Sequence, residues 1–385
     1  MTRRILILAM SYPPQAVGTG TYAHRLACGL AASGCSVRVV APAALGDAAF
    51  DEASGCSVAR CALPAAVPLR YLKARRLLLE QIQDFDPDCV WATNGMGTRV
   101  AGLLRVWRDT PLITSMRGSD VTVRLGGTSL VARLEAALQR RAYADSVAIA
   151  AVSHFVRARA AAQGVDADTV FVHPPAWDAR VLDGYRYDQA AFGGRFPDLA
   201  GKRIVLTVAR LVRQKRVDRA LRASGRLLKE FPDMVHVVVG DGPERNQLER
   251  MAGELGWGDR VLFTGAVSPM SPELFDLYSA ASAFVLPSVG EGMGNVFIEA
   301  GAFALPCLGV ADGGVSECIE DGRTGLLARP DDVEDLSAKL RYLLKDAARA
   351  RQMGEAARDR MGREFSVDRL VRGALETIER VVDHG

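Results

Sequence analysis

The chain has 385 residues, and at roughly 100–200 residues per domain this length predicts two domains. Hydrophobic residues make up 49% of the chain and charged residues 24%, an ordinary globular composition that excludes a disordered or collagen-like protein. The formal net charge is only +3, from 48 basic and 45 acidic residues, so the charge balance gives no reason to expect a nucleic-acid partner.

The chain begins with basic residues and a short apolar run that resembles the start of a signal peptide. The run ends at Tyr12-Pro13-Pro14 without a small-residue cleavage site, which predicts a buried strand instead. No segment approaches the roughly 20 consecutive apolar residues that cross a bilayer. The seven cysteines form no C-x-x-C pair, so we expect neither a zinc site nor a disulfide framework. These features predict a cytoplasmic protein.

The first half of the chain alternates short β-branched runs with stretches of helical periodicity. Tyr22, Leu26 and Leu30 recur every four residues and Gly34 follows, which predicts a helix over residues 21–33. Strand, helix and strand in repeated succession predict a parallel sheet. The predicted strands are residues 4–9, 36–41, 88–92, 112–115, 147–152 and 170–173.

The alternation pauses over residues 177–201, which are rich in Asp, Tyr, Gly and Pro, and then resumes. The second set of predicted strands is residues 203–209, 234–240, 260–265, 283–287 and 307–310. Apolar residues along 366–382 follow the spacing of an amphipathic helix. The pattern therefore predicts an α/β protein with two Rossmann-like domains facing across a cleft, residues 1–178 and 179–365.

Residues 287–306, PSVGEGMGNVFIEAGAFALP, contain the clearest candidate site. A predicted strand ends at Pro287, a glycine-rich loop follows, and a helix begins near Gly294. Glycines let a ligand approach the backbone, and a helix start favours an anion. Glu291 and Glu299 are eight residues apart, and paired carboxylates suit the neighbouring hydroxyls of a sugar or ribose. On spacing alone, a solvated acidic helix start explains the pattern equally well.

The two glutamates and their neighbours form an E-x7-E motif that resembles the signature of the group 1 (family 4) retaining glycosyltransferases. The resemblance runs through seven segments in the order expected for that family. Besides the E-x7-E segment these are SYPPQAVGTGTY (11–22), RGSD (117–120), VARLVRQK (208–215), VVGDGPE (238–244), FTGAV (263–267) and DGGVSECIEDGRTGLL (312–327). The resemblance implies the two-domain GT-B architecture, in which the final helix, here residues 366–385, crosses back to the N-terminal domain.

The resemblance also implies a retaining hexosyltransferase that uses a UDP- or GDP-sugar and needs no metal or other cofactor. Arg210 and Lys215 match the basic pair that stabilises the leaving diphosphate, whose negative charge grows in the transition state. Glu299 matches the residue that binds the ribose hydroxyls, and Glu291 the residue near the donor sugar. Further donor contacts are implied for Gly18, Val267, Met293, Gly294 and Asn295. Without the resemblance, the basic run at 210–216 is better explained as a solvated loop.

Two positions depart from the family's pattern. Val17 stands where a glycine is usual, which predicts a less open loop before Gly18. Arg117 stands where a histidine is common, and arginine stays protonated and cannot act as a general base. We expect Arg117 to bind a sugar hydroxyl, the phosphate or an acidic group of the acceptor. The structural alternative is an ion pair with Asp120.

Other chemically suggestive patterns have simpler explanations. The D-x-D spacings at residues 84–88 and 166–168 fall in turns that enter predicted strands, where aspartate is common for conformational reasons. The five histidines are scattered without an evident ligand pair, and His236 lies in an apolar strand as a predicted core residue. We therefore expect no metal site.

Residues 70–79, from Arg70 to Leu79, form a basic amphipathic segment that suggests peripheral contact with an anionic membrane, on the inner leaflet. The alternative is a surface helix whose leucines pack on the sheet while its arginines face water. The family resemblance implies an acceptor with a free hydroxyl, lipid-linked or a glycan. A small soluble acceptor such as an aminocyclitol is an alternative, and a non-catalytic sugar-nucleotide-binding protein is a more distant one.

Overall fold

The computed structural model describes residues 2–14, 18–104, 107, 109–118, 129–269 and 271–383. The chain divides into two compact units, residues 1–176 with 367–385 and residues 177–366. Both units are built from a parallel sheet and helices, so the predicted α/β class with two Rossmann-like domains is confirmed. No helix among the described residues has the length and apolar character needed to cross a bilayer.

The first unit is organised around a seven-stranded sheet in its described residues. Its strands are β1 (Arg4–Leu8), β2 (Ser36–Pro42), β3 (Ser57–Cys61), β4 (Cys89–Ala92), β5 (Leu112–Met116), β6 (Ala148–Ala151) and β7 (Val170–Val172). Their order is β3-β2-β1-β4-β5-β6-β7, and neighbouring strands are parallel. The central strand β4 is buried along its length, as a parallel sheet covered on both faces requires.

Helices connect these strands. They are α1 (Gly18–Ala32), α2 (Asp47–Ser54), α3 (Val67–Phe85), α4 (Gly95–Ala101), α5 (Leu130–Asp145) and α6 (His154–Ala161). Side-chain oxygens of Asn94, Ser129 and Ser153 accept hydrogen bonds from first-turn N–H groups and cap α4, α5 and α6. Helix α1 includes the helix predicted over residues 21–33 apart from its last residue, and a Cβ atom added at Gly20 would lie 3.2 Å from backbone atoms of Ser11.

The second unit has a six-stranded parallel sheet in its described residues, ordered β10-β9-β8-β11-β12-β13 once its strands are numbered along the chain. The strands are β8 (Arg203–Val208), β9 (Met234–Val239), β10 (Val261–Gly265), β11 (Ala283–Val285), β12 (Cys307–Val310) and β13 (Gly325–Ala328). The helices are α7 (Gln189–Arg195), α8 (Val217–Gly225), α9 (Arg245–Glu254), α10 (Pro272–Ala280), α11 (Asn295–Ala302), α12 (Val315–Cys318), α13 (Val333–Lys345) and α14 (Ala347–Glu364).

The last helix, α15 (Val367–Asp383), belongs to the first unit, where it packs against α1. Its buried residues include Leu370, Ala374 and Ile378, the apolar face expected of an amphipathic helix. A Cβ atom added at Gly29 would lie 2.2 Å from Cγ2 of Val371. The glycine therefore lets the two helices approach closely.

Two strands, β3 and β13, were missed by the sequence prediction. Both lie at an edge of their sheet, where a strand has a neighbour on one side only. Edge strands are less buried, and β3 accordingly includes Ser57 and Arg60 instead of a continuous apolar run. The apolar-run criterion fails for β3 for that reason, whereas β13 is an apolar but short run of four residues, Gly325–Ala328.

His236 is a core residue, as predicted. Its imidazole lies 2.9 Å from Oγ1 of Thr207 and 3.0 Å from Oγ of Ser224. Complete burial lowers the pKa of His236 to about 3, so the ring is neutral at physiological pH.

Candidate active site

The loop after β8 carries Arg210 and Lys215, and it is held by the loop that follows β9. The backbone N–H of Leu211 donates to the carbonyl of Asp241 over 2.8 Å. Gly242 has φ of +157°, and a Cβ atom there would lie 2.4 Å from the carbonyl oxygen of Leu211. Only glycine fits such an approach. Arg210 is consequently presented on an exposed, backbone-anchored loop.

Lys215 lies in the short 3₁₀ turn Arg213–Lys215, and its ammonium group forms an ion pair with the carboxylate of Glu291. The two side chains are only 23% and 13% exposed. Backbone contacts hold the two loops together: Val289 N–H donates to the carbonyl of Gln214 over 3.1 Å, and the Gln214 amide donates to Gly290 over 3.2 Å. The fold thus joins two predicted site residues that are far apart in sequence.

The glycine-rich turn after β11 is positioned by residues 312–314. The backbone N–H of Gly290 donates to the carboxylate of Asp312, and the N–H of Gly314 donates to the carbonyl of Glu291 over 2.9 Å. A Cβ atom at Gly314 would lie 2.1 Å from the carbonyl oxygen of Gly292. Asp312 and Gly314 therefore support Glu291. Their motif in residues 312–327 did not by itself indicate this supporting role.

Helix α11 begins immediately after this turn. Its N-cap is Gly294, with φ of +86°, and no side chain caps its first turn. The buried Cys318 thiol donates to the carbonyl of Met293 over 2.9 Å, and Asn295, the first helical residue, is half-buried. A helix start without a side-chain cap presents backbone N–H groups that suit an anionic ligand.

Glu299 lies in the second turn of α11 and is half-buried. The hydroxyl of Tyr278 donates to its Oε2 over 3.1 Å, and the Tyr278 ring stacks on Phe303 at 5.2 Å. Burial first, and then the Glu299 charge, raise the pKa of Tyr278, so the phenol stays protonated and remains a donor. Tyr278 is thus a second supporting residue that the motif did not reveal.

The predicted residues of the second unit share one edge of its sheet. Arg210 and Lys215 follow β8, Val267 follows β10, and Glu291 follows β11. Val267 is half-buried, and the preceding Gly265 accepts a 2.8 Å hydrogen bond from the N–H of Gly240. All these strands are parallel, so their carboxyl ends meet at the edge where open α/β sheets bind ligands.

Two predicted donor contacts lie in the first unit. Gly18 is exposed as the first residue of α1, while Val17 and Asp120 are outside the described residues. Arg117 follows β5, and its guanidinium lies 3.7 Å from the centroid of the Tyr22 ring. It also donates to the carbonyl of His173 over 3.5 Å.

Arg117 contacts two uncharged aromatic residues, Tyr22 and His173, which are hydrogen-bonded to each other. The Tyr22 hydroxyl lies 2.9 Å from Nδ1 of His173, whose Nε2 lies 2.9 Å from the carbonyl of Leu370 on α15. Burial lowers the pKa of His173 to about 4, and the nearby Arg117 charge contributes in the same direction. The aromatic pair therefore carries no competing positive charge at physiological pH.

The D-x-D segments have local structural roles. Asp84 pairs with Arg38, and Asp86 pairs with Arg4 at 2.7 Å. The Asp166 carboxylate accepts the N–H of Asp168 at 3.0 Å within the same turn. The Asp166 contact agrees with the predicted turn, whereas Asp84 lies in the last turn of α3 and its carboxylate makes an ion pair.

One histidine and two cysteines that the sequence spacing did not group lie close together in the fold. His24 and Cys28 share a face of α1 because they are four residues apart, and the chain returns to place Cys56 beside them. Their ligand atoms lie within 4.8 Å of one another. Sequence spacing did not reveal this group, because Cys56 arrives only through the fold.

Comparison with known families identifies the class. Residues 196–360 match the family described as glycosyl transferases group 1, and residues 17–176 match the glycosyl transferase 4-like domain. The chain belongs to the group 1 glycosyltransferases and has their GT-B fold. Together the two matches span both units described above.

Individual relatives share only a minority of their residues with this chain. A GDP-mannose-dependent alpha-(1-6)-phosphatidylinositol monomannoside mannosyltransferase from Mycolicibacterium smegmatis is 29% identical over 92% of each chain. A D-inositol 3-phosphate glycosyltransferase from Nocardia farcinica is 37% identical over 50% of this chain and 43% of that protein.

Solved structures share the fold over the whole length. HepE from Anabaena in complex with UDP-glucose has a TM-score of 0.80 at 18% identity, covering 98% of this chain and 99% of its own. Sucrose-phosphate synthase from Thermosynechococcus elongatus has a TM-score of 0.80 at 21% identity and complete coverage of both chains.

Proposed function

We propose that this glycosyltransferase moves a hexose from a UDP- or GDP-sugar to an acceptor hydroxyl with retention of configuration. The observation that carries the proposal is the set of residues around the glycine-rich turn after β11. The Lys215–Glu291 ion pair lies there, after the carboxyl ends of two parallel strands. The helix start at Gly294 and the Glu299 carboxylate come next along the chain. Cations and helix N–H groups suit a diphosphate, and carboxylates suit sugar hydroxyls.

In the proposed reaction the acceptor attacks the face of the sugar that the diphosphate leaves, through an oxocarbenium-like transition state. Arg210, Lys215 and the start of α11 stabilise the charge that develops on the departing phosphate. That phosphate takes up the proton of the acceptor hydroxyl. Glu291 orients the sugar, Glu299 orients the ribose, and Arg117 contacts the donor from the first unit. Gly18, Val267, Met293 and Asn295 contribute further donor contacts.

Replacing Glu299 by alanine is expected to weaken donor binding more than turnover, because its contact with the ribose exists before the chemical step. Thermal stabilisation of the protein by a panel of UDP- and GDP-sugars measures this directly. Glu254→Ala, at an exposed glutamate of the same unit, is the matched control. Unchanged donor affinity in Glu299→Ala would remove this residue from the site.

Transfer is expected to need no divalent metal, because the diphosphate charge is met by Arg210, Lys215 and the helix start. Activity measured in excess chelator should equal activity with added magnesium. Loss of transfer in chelator that is restored by magnesium or manganese contradicts this prediction. Measurable transfer or donor hydrolysis also separates an enzyme from a non-catalytic sugar-nucleotide-binding protein.

The proposed acceptor is lipid-linked or a glycan, and the surface of α3 supports the lipid-linked form. Leu72 on α3 is 59% exposed beside the exposed Lys73, whereas Tyr71 and Leu78 point into the core. The Tyr71 hydroxyl donates to Glu135 of α5 over 2.7 Å and ties the two helices together.

Helix α5 also carries exposed apolar side chains. Leu134, next to the exposed Arg133, is 58% exposed, and Leu130 at the start of the helix is 82% exposed. Exposed apolar side chains beside cations suit reversible docking on an anionic leaflet, at about 1 kcal/mol per basic residue. The phosphatidylinositol monomannoside mannosyltransferase named above acts on such a lipid-linked substrate by its description.

The protein is expected to co-sediment with phosphatidylserine-containing vesicles at low salt and to dissociate at high salt, because the attraction is screened within about 8 Å at physiological salt. Charge reversal in the double variant Lys73→Glu with Arg76→Glu should abolish this binding and leave donor affinity unchanged. The control is Lys202→Glu with Lys229→Glu, which changes the net charge equally at exposed positions of the second unit.

Absence of vesicle binding by the wild-type protein at low salt would contradict the membrane-docking prediction. It would favour a soluble acceptor such as a cyclitol phosphate. The similarity of half the chain to a D-inositol 3-phosphate glycosyltransferase supports testing that acceptor class next.

A further inference from the structure

Two cysteines of the first unit bring their sulfur atoms together. Cys28 lies in the middle of α1, and Cys56 lies just before β3, after Gly55 has ended α2. Their Sγ atoms are 2.7 Å apart, and both residues are half-buried and not joined in a disulfide. His24 completes the group, with its Nδ1 3.5 Å from Sγ of Cys28.

The distance between the two sulfur atoms indicates whether this group favours metal binding or disulfide formation. The three residues form a possible metal-ligand set of one imidazole and two thiols. Two thiolates bound at about 2.3 Å to one tetrahedral zinc ion lie about 3.8 Å apart. The observed 2.7 Å is shorter than that spacing, so the positions favour bonding between the sulfurs over sharing of a metal.

We propose that Cys28 and Cys56 are a thiol-oxidation site that forms a reversible disulfide when the protein meets a hydroperoxide. The Cys56 thiolate attacks one oxygen of hydrogen peroxide, and the O–O bond breaks to give a sulfenic acid and a hydroxide ion. The hydroxide takes up the proton that Cys56 released on ionisation and becomes the first water. The Cys28 sulfur then attacks the sulfenic sulfur, forming the S–S bond and releasing the second water. Two electrons pass from the thiols to the peroxide, and a dithiol reductant reverses the change.

The surroundings of the pair favour this reaction. Contacts with Cys28 and Ser54 lower the pKa of the Cys56 thiol, against the opposing effect of burial. The partial exposure of Cys56 gives peroxide access. Nδ1 of His24 lies 3.5 Å from Sγ of Cys28 and 3.1 Å from the hydroxyl of Tyr12, so a polar side chain borders the sulfur pair.

The disulfide would join α1 to the start of β3 and close a loop that contains β2 and α2. Such a link restricts the unfolded chain and is expected to raise the temperature of unfolding. It also restrains α1, whose first residue is Gly18. Formation of this disulfide does not depend on glycosyl transfer. A protein that forms no disulfide would therefore leave the proposed function unaffected.

The test exposes the reduced, full-length protein to hydrogen peroxide, quenches it, and counts free thiols in denaturant. The count should fall from seven to five, and peptide mapping should find the segments containing Cys28 and Cys56 joined. Dithiothreitol should restore all seven. Cys35→Ser is the matched control, since Cys35 is also half-buried, and it should fall from six thiols to four.

In Cys28→Ser the joined peptides should be absent. Seven thiols remaining after peroxide, or a disulfide between other cysteines, would overturn the proposal. So would a reduced protein that binds one zinc ion per chain through these residues and then yields no disulfide. Peptide mapping of the wild-type protein keeps the test decisive even where a serine variant folds poorly.

Discussion

Lys215→Ala is expected to lower the turnover of sugar transfer about 10- to 1,000-fold, because it removes a preorganised cation from the departing diphosphate. The side chain is 23% exposed and already paired with Glu291, so its ammonium group is held in place before the donor arrives. Steady-state kinetics with the best donor from the thermal panel measure the effect. Lys202→Ala, at an exposed lysine of the same unit, should behave like wild type.

A second variant separates direct stabilisation of the diphosphate from an effect through Glu291. Removing Lys215 leaves a partly buried carboxylate without this partner, which is unfavourable by itself. If Lys215 acts only by positioning Glu291, Lys215→Ala should cause no further loss of turnover in a Glu291→Gln background. If Lys215 stabilises the diphosphate, Lys215→Ala should lower turnover in that background about as much as in the wild-type protein. Arg210→Ala should also lose turnover, whereas Arg213→Ala, an exposed arginine of the same loop, should not.

Gly314→Ala is expected to lower transfer about 100-fold, because its Cβ atom would lie 2.1 Å from the carbonyl oxygen of Gly292. Backbone must move to relieve such a contact, and Gly314 also donates the hydrogen bond that holds the Glu291 carbonyl. A displacement of about 1 Å at a catalytic turn suffices for a loss of this size. Kinetics of the variant, with circular dichroism to verify folding, measure the effect.

Gly362→Ala is the matched control for this substitution. Gly362 lies in α14, and a Cβ atom there would meet nothing within 4 Å. Alanine at that position should leave both folding and transfer close to wild type. A folded Gly314→Ala protein with wild-type kinetics would show that residues 312–314 do not position the glycine-rich turn.

The sequence alone predicted the class of the fold and the main candidate residues. The run of residues 204–206 is continuously apolar because the central parallel strand β8 is buried on both faces, and this burial leaves a readable pattern. The E-x7-E segment and its accompanying motifs identified the family, because their glycines and charges occur at fixed local spacings along the chain. Local patterns of this kind need no knowledge of the folded structure.

The tertiary structure decided which distant residues act together. Lys215 pairs with Glu291 and Gly314 supports the glycine-rich turn because the parallel strands bring their carboxyl ends to one edge. Tyr278 donates to Glu299 because the fold brings α10 beside α11. The meeting of Cys28 with Cys56 has the same origin, since chain reversal through β2 and α2 joins them. Contacts between residues far apart in sequence depend on packing, and no local periodicity encodes them.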